Sequence, residues 1–152
     1  MTPTEQQNLG VWLWTLTDWI LAHKGRNCLR LATRENLFRY VAFAHLHGRI
    51  AVARDAQGQI EAVMFYWCDF KERIEAKAEN GVNQFEWTAN HPGDALFVAE
   101  IIGSHEGVAR IIRTAFEKWP HLMTLPIYSF RRGKLVLLSM AKINHFIDSK
   151  IW

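Results

Sequence analysis

A chain of 152 residues, 49% of them apolar, has the material for one domain (residues 1–152) around a real core. Its net charge of +3 comes from scattered basic residues, densest at Arg131-Arg132-Gly133-Lys134. That charge suits an anionic small partner such as a coenzyme phosphate and falls short of a nucleic-acid footprint, so no nucleic-acid partner is expected.

No apolar run approaches the ~20 residues that span a bilayer, so no membrane attachment is expected. The polar start lacks a basic segment ahead of an apolar one, and a cytoplasmic location follows. Cys28 and Cys68 form neither a disulfide framework nor a metal-ligand spacing. Free thiols in a reducing compartment and no metal are the expectation. Seven tryptophans and nine phenylalanines point to an aromatic interior or an apolar groove.

In chain order, Thr2-Pro3-Thr4-Glu5 reads as a capping box with proline at the first helical position. Leu9, Trp12, Leu13, Leu16, Trp19 and Ile20 follow at helical spacing, with His23 in the last turn and Gly25 beyond. A second helix is predicted from Thr33 to Gly48 with Leu37, Tyr40, Val41 and Ala44 inward. Its His45 and His47 stand two apart, on different sides, which disfavours a joint metal site.

Strands are predicted over 49–54 and 59–68 around the turn Asp55-Ala56-Gln57-Gly58. The second is apolar on both faces at its far end, as a strand covered on both sides would be. A short charged helix over 70–79, a strand over 84–88 and a turn at Asn90-His91-Pro92-Gly93 come next.

Ala95–Ile102 is an apolar run broken by one acid, Glu100, and reads as a buried strand. The small-residue loop 103–107 then opens a helix whose stripe is Val108, Ile111, Ile112, Ala115 and Trp119. The free first N–H groups of such a helix make a potential phosphate site at Gly103, Ser104, His105, Gly107 and Val108. The plainer alternative is that the glycines only turn the chain. Strands over 126–131 and 134–140 and an apolar tail that docks complete the chain. This order implies a mixed α/β sheet, antiparallel at first, with one helical crossover late.

The order resembles the GCN5-related N-acetyltransferase (GNAT) fold, a central mixed sheet flanked by helices. There the central strand, its loop and the next helix hold the pyrophosphate of acyl-coenzyme A. The segment Ile102-Gly103-Ser104-His105-Glu106-Gly107 lacks that family's leading Gln or Arg and spaces its glycines differently. Local features are more similar to the lysine acyltransferases that activate RTX toxins, which have a GNAT-like fold and use acyl carrier protein as donor. They are Trp12-Leu13-Trp14 followed by His23, the aromatic-ended strand 60–69, and Trp87-Thr88, Gly93-Asp94 and then Glu100 six positions on. The resemblance implies transfer of an acyl group from acyl-CoA or acyl carrier protein to an amine, a protein lysine among the candidates. In it Glu100 takes the place of the catalytic acid and His23 that of the catalytic histidine.

Such chemistry needs a base for the attacking nitrogen, donors for the oxyanion and a place for the carrier's phosphates. A buried Glu100 has a raised pKa suited to a base. With regular alternation it shares a face with Leu96, Val98 and Ile102. The alternatives are a solvated face or pairing with an arginine such as Arg131. His23 reads as base, acyl acceptor or simple helix cap, His105 as an anion contact, and Tyr128 as general acid or core. The reading from another class is a GNAT-shaped domain without catalysis that serves as a binding or dimerisation module. A homodimer is compatible with either.

Overall fold

The computed structural model describes residues 1–23, 33–79, 93–131 and 134–148, with the backbone alone for 130 and 131. The predicted strand over 84–88, Gly25, Trp87-Thr88, the turn residues 90–92 and the hinge Arg132-Gly133 lie outside the described residues.

Helix α1 (Pro3–His23) starts at the expected box: Glu5 N–H donates to Thr2 Oγ1 at 3.1 Å, and Thr2 N–H to Glu5 Oε2 at 2.8 Å. Helix α2 (Arg34–Leu46) is capped by Thr33, whose hydroxyl accepts from Asn36 N–H at 3.2 Å. Its buried residues are the four inward ones of the helical reading, Leu37, Tyr40, Val41 and Ala44. Strands β1 (Ile50–Arg54) and β2 (Ile60–Asp69) form an antiparallel hairpin. Asp55 Oδ1 closes its turn by accepting from the N–H groups of Gln57 and Gln59, each at 2.9 Å.

Helix α3 (Lys71–Glu79), strand β3 (Ala95–Gly103), helix α4 (His105–Lys118), a 3₁₀ helix over Pro120–Thr124, strands β4 (Ile127–Arg131) and β5 (Lys134–Leu138) and helix α5 (Met140–Asp148) follow. The five strands lie in chain order β1-β2-β3-β4-β5, antiparallel except for the parallel β3–β4 pair that α4 connects. The protein is therefore mixed α/β, a five-stranded mixed sheet flanked by helices, with the one late crossover that the element order implied. The tail docks as the helix α5, and the 3₁₀ helix is an addition to the expected elements.

Two apolar layers hold the sheet. On one face Leu13, Leu16 and Ile20 of α1, the inward residues of α2 and Ile74 of α3 meet Val63, Phe65, Trp67 and Phe97. On the other, Val108 and Ile111 of α4 and Ile143 of α5 meet Ala53, Ala62, Met64, Val98 and Ile127. Both faces of β2 and β3 are thus covered, the physical reason their sequences are nearly continuous apolar runs. The start of β3 is tied back to α3, because Asp94 Oδ1 accepts from Lys71 N–H at 2.8 Å in the first turn of that helix.

Candidate active site

The candidate site forms where β3 stops alternating and parts from β4. Phe65 pairs with Glu100 and Tyr66 with Val98, so Ala99 is an extra residue in β3, a β-bulge. Strict alternation placed Glu100 on one face with Leu96, Val98 and Ile102. The bulge keeps Glu100 in phase with Ile102 and shifts it out of phase with Leu96 and Val98. Bulges arise from how two strands fit together, so nothing local to β3 announces this one.

The β3–β4 ladder has three pairs, Leu96–Ile127, Phe97–Tyr128 and Val98–Ser129. Beyond Val98 the strands separate, and a cavity of about 390 Å³ opens in the notch. Ala99, Glu100 and Ile101 line it from β3, Ser129 from β4, and Lys142, Ile143 and Phe146 from α5. On the notch side β3 has no ladder partner past Val98 among the described residues, which leaves backbone groups there for a bound molecule.

Glu100 is 9% exposed. Among the described residues no cation and no hydrogen-bond donor meets its carboxylate, and the Arg131 side chain weighed above lies outside them. Burial is the cause that raises its carboxyl from 4.5 to about 7. A carboxyl group in that range can accept a proton near neutral pH.

His23 and Tyr128 do not line this cavity. His23 is exposed at the end of α1, where its Nδ1 bonds the Trp19 carbonyl at 2.8 Å and its ring stacks on Trp19 at 4.3 Å. That is the geometry of a residue closing a helix. Tyr128 is buried in the layer beneath α1 and α2, and its hydroxyl donates to Glu75 Oε1 of α3 at 3.4 Å. Its phenol is pushed up, first by burial, with Lys71 opposing and Glu75 adding.

The loop before α4 has a clear packing role. Ser104 caps the helix, its Oγ accepting from Gly107 N–H and its carbonyl from Val108 N–H, each at 3.0 Å. Those two amides, both within the potential phosphate site named from sequence, already bond to Ser104. Gly103 has φ +127°, and a Cβ there would stand 2.3 Å from the Glu61 carbonyl oxygen. At Gly107 a Cβ would meet Ala62 Cβ at 2.8 Å. Glycine at both places lets α4 start directly on β2. His105 is buried with its ring on Phe146 at 4.2 Å, and Val108 reaches the cavity wall.

Of the residues named from sequence, the structure brings Glu100 and Val108 into the cavity and His105 to its edge through Phe146. Ser129, Lys142 and Phe146 were missed as site residues. Ser129 is the one small polar residue among Ile127, Tyr128 and Phe130 of β4, which is a signal, whereas Lys142 and Phe146 arrive only because the tail folds back. Among the described residues no group of three His, Cys, Asp or Glu side chains is placed to hold a metal ion, and no helix is long and apolar enough to cross a membrane. Comparison of the sequence with protein-family models finds no matching model, and comparison with curated proteins finds no matching relative.

Proposed function

We propose that this protein is an acyltransferase, moving an acyl group from acyl-CoA or acyl carrier protein to an amine, a protein lysine among the candidate acceptors. The observation that carries the reading is Glu100: a buried carboxyl group, raised to about 7, on a residue at a β-bulge that lines the cavity beside β4. The sheet order, with its single parallel step after β3, supports a GNAT-like arrangement.

In this reading Glu100 takes the proton from the attacking ammonium group. The nitrogen forms a bond to the thioester carbonyl carbon, and the oxyanion sits against the unpaired backbone edge of β3 beyond Val98. The carbon–sulfur bond then breaks, the thiolate takes up the second proton that the nitrogen sheds on becoming an amide, amide and thiol leave, and Glu100 gives its proton back to water. The base in this scheme is Glu100 alone. His23 and Tyr128 take no step.

The test is native mass spectrometry with acyl-CoA species of several chain lengths, then with acyl carrier protein, followed by a transfer assay on Glu100→Gln. Binding of one donor at one to one, and transfer lost in the folded variant, are the expected results. Full transfer by Glu100→Gln refutes the mechanism. The start of α4 favours a second reading, a binding or dimerisation module without catalysis. Gly103 and Gly107 serve close packing there, and Glu106 sets a negative charge in the helix's first turn. Failure of every donor to bind or stabilise the protein decides for that reading.

A further inference from the structure

A second, larger cavity lies under the C-terminal half of α4 and shares no lining residue with the Glu100 cavity. Its volume is about 660 Å³. Met64, Tyr66 and Cys68 of β2 form the floor, Ile111 and Ala115 of α4 the wall, and Trp119 closes one end. The floor follows the hairpin from Arg54 back to Gly48. At about 3.3 Å per residue that run is about 20 Å long. A cavity of that volume and length, lined mainly by apolar side chains, has room for a hydrocarbon chain laid along the strand. The surroundings are apolar enough that burial pushes up both the Tyr66 phenol and the Cys68 thiol.

The formal charges among the lining residues, on Arg54, Arg110 and Lys118, are all positive. Arg54, Arg110, Lys118 and His121 line it, and none of its described lining residues carries a carboxylate. At one end Arg110 is already engaged, donating to Glu61 Oε2 and, at 2.7 Å, to the Arg54 carbonyl. Arg54 itself donates to the Gly58 carbonyl and lies over the Trp12 ring. At the other end the Lys118 ammonium rests 4.7 Å from the Trp119 ring centroid and meets no carboxylate among the described residues. A long apolar channel with a cation at its end that no described carboxylate neutralises is complementary to a molecule with an apolar tail and an anionic head.

We propose that this cavity binds a single-chain amphiphile with an anionic head, the tail lying over Met64 and Tyr66 against Ile111 and the head meeting Lys118 and His121. The site is independent of acyl transfer. A carboxylate and a phosphate head share the required chemistry, and the experiment separates them.

The readout is Cys68, a thiol in the floor of the channel. In Cys28→Ser it is the sole thiol, and its rate of modification by a neutral maleimide is measured against dodecanoate, dodecyl phosphate and dodecyltrimethylammonium, each below micelle formation. At saturation at least one of the two anions is expected to slow modification about tenfold, the more protective head naming the natural one, and the cationic twin to leave the rate unchanged. Lys118→Glu, at an exposed position, is expected to abolish protection by the anion, and Ala115→Trp, which fills the channel, to weaken it at least about tenfold. Equal protection by the cationic twin, no protection by either anion, or protection unaltered in a folded Lys118→Glu variant overturns the proposal.

Discussion

Removing the charge of Glu100 should make the protein more stable above neutral pH. The carboxyl ionises at 4.5 in an open chain and at about 7 in the fold, because burial opposes the charge. Between those values the folded state holds a proton that the unfolded chain has lost. The stability contributed by that proton is fully present below 4.5 and is lost as the pH rises through about 7. At about 1.4 kcal/mol per pH unit, the gap corresponds to about 3 kcal/mol at pH 8. Glu100→Gln keeps the shape and cannot ionise. The assay is urea denaturation of both proteins at half-unit steps from pH 4.5 to 8.5, read as the difference between their unfolding free energies. Every other group is common to both proteins and cancels in that difference. The expected difference turns against the wild type by about 3 kcal/mol as the pH rises, then levels off above 8. A difference flat across the range refutes the burial argument, and one that turns in favour of the wild type means the carboxylate is held by a cation.

Three further outcomes follow from the geometry. If Glu100 is the base, the acyl-transfer rate at limiting acceptor rises with pH through about 7 and then flattens; a profile flat from pH 5.5 to 8.5 assigns the proton to another group. Gly103→Ala should cost at least about 2 kcal/mol in chemical denaturation, since it combines a φ of +127° with a Cβ driven into the Glu61 carbonyl. A cost below 0.5 kcal/mol, on the order of ordinary surface changes, means the loop moves off β2 freely. Leu16→Ala, at a fully buried position beneath the sheet, should cost about 3 kcal/mol, whereas Val11→Ala on the exposed face of the same helix should change stability by less than about 0.5 kcal/mol. Equal costs at the two positions contradict the packing described for α1.

The sequence carried the elements further than it carried the site. Thr2 and Glu5, Thr33, and Asp55 act on backbone groups within four residues of themselves, so short-range chemistry reveals them. The inward stripe of α2 is legible for a related reason, since period and burial are the same fact for a helix lying on a sheet. Glu100 stood out because an acid in an apolar strand is costly without a use or a partner. Its face did not, because Ala99 becomes an extra residue only against the β2 register. The loop before α4 shows the opposite limit. Two glycines at a helix start look alike whether they cradle a phosphate or admit a neighbouring strand, and here it is Glu61 and Ala62, more than forty residues earlier, that occupy the space. Lys118 and Cys68 meet one cavity for the same long-range reason, so no local pattern joins them.

Strand order follows chain order throughout the sheet, which bears on how the protein is made. Each strand is laid beside the one synthesised before it, and the β1–β2 and β4–β5 pairs close through short connections, the kind of local contact that forms quickly. The one step that cannot be made by a hairpin is β3 to β4, where α4 must form and cross before the parallel pairs can close. The notch holding Glu100 lies at that junction, and α5, the last described element, completes its wall. On a ribosome the β3 side of that notch is therefore built early and is walled only when α5 arrives. Pulsed hydrogen exchange on stalled chains should find the β1–β2 ladder protected well before the β3–β4 pairs. The notch beside Glu100 would then take its final form only once α5 has docked.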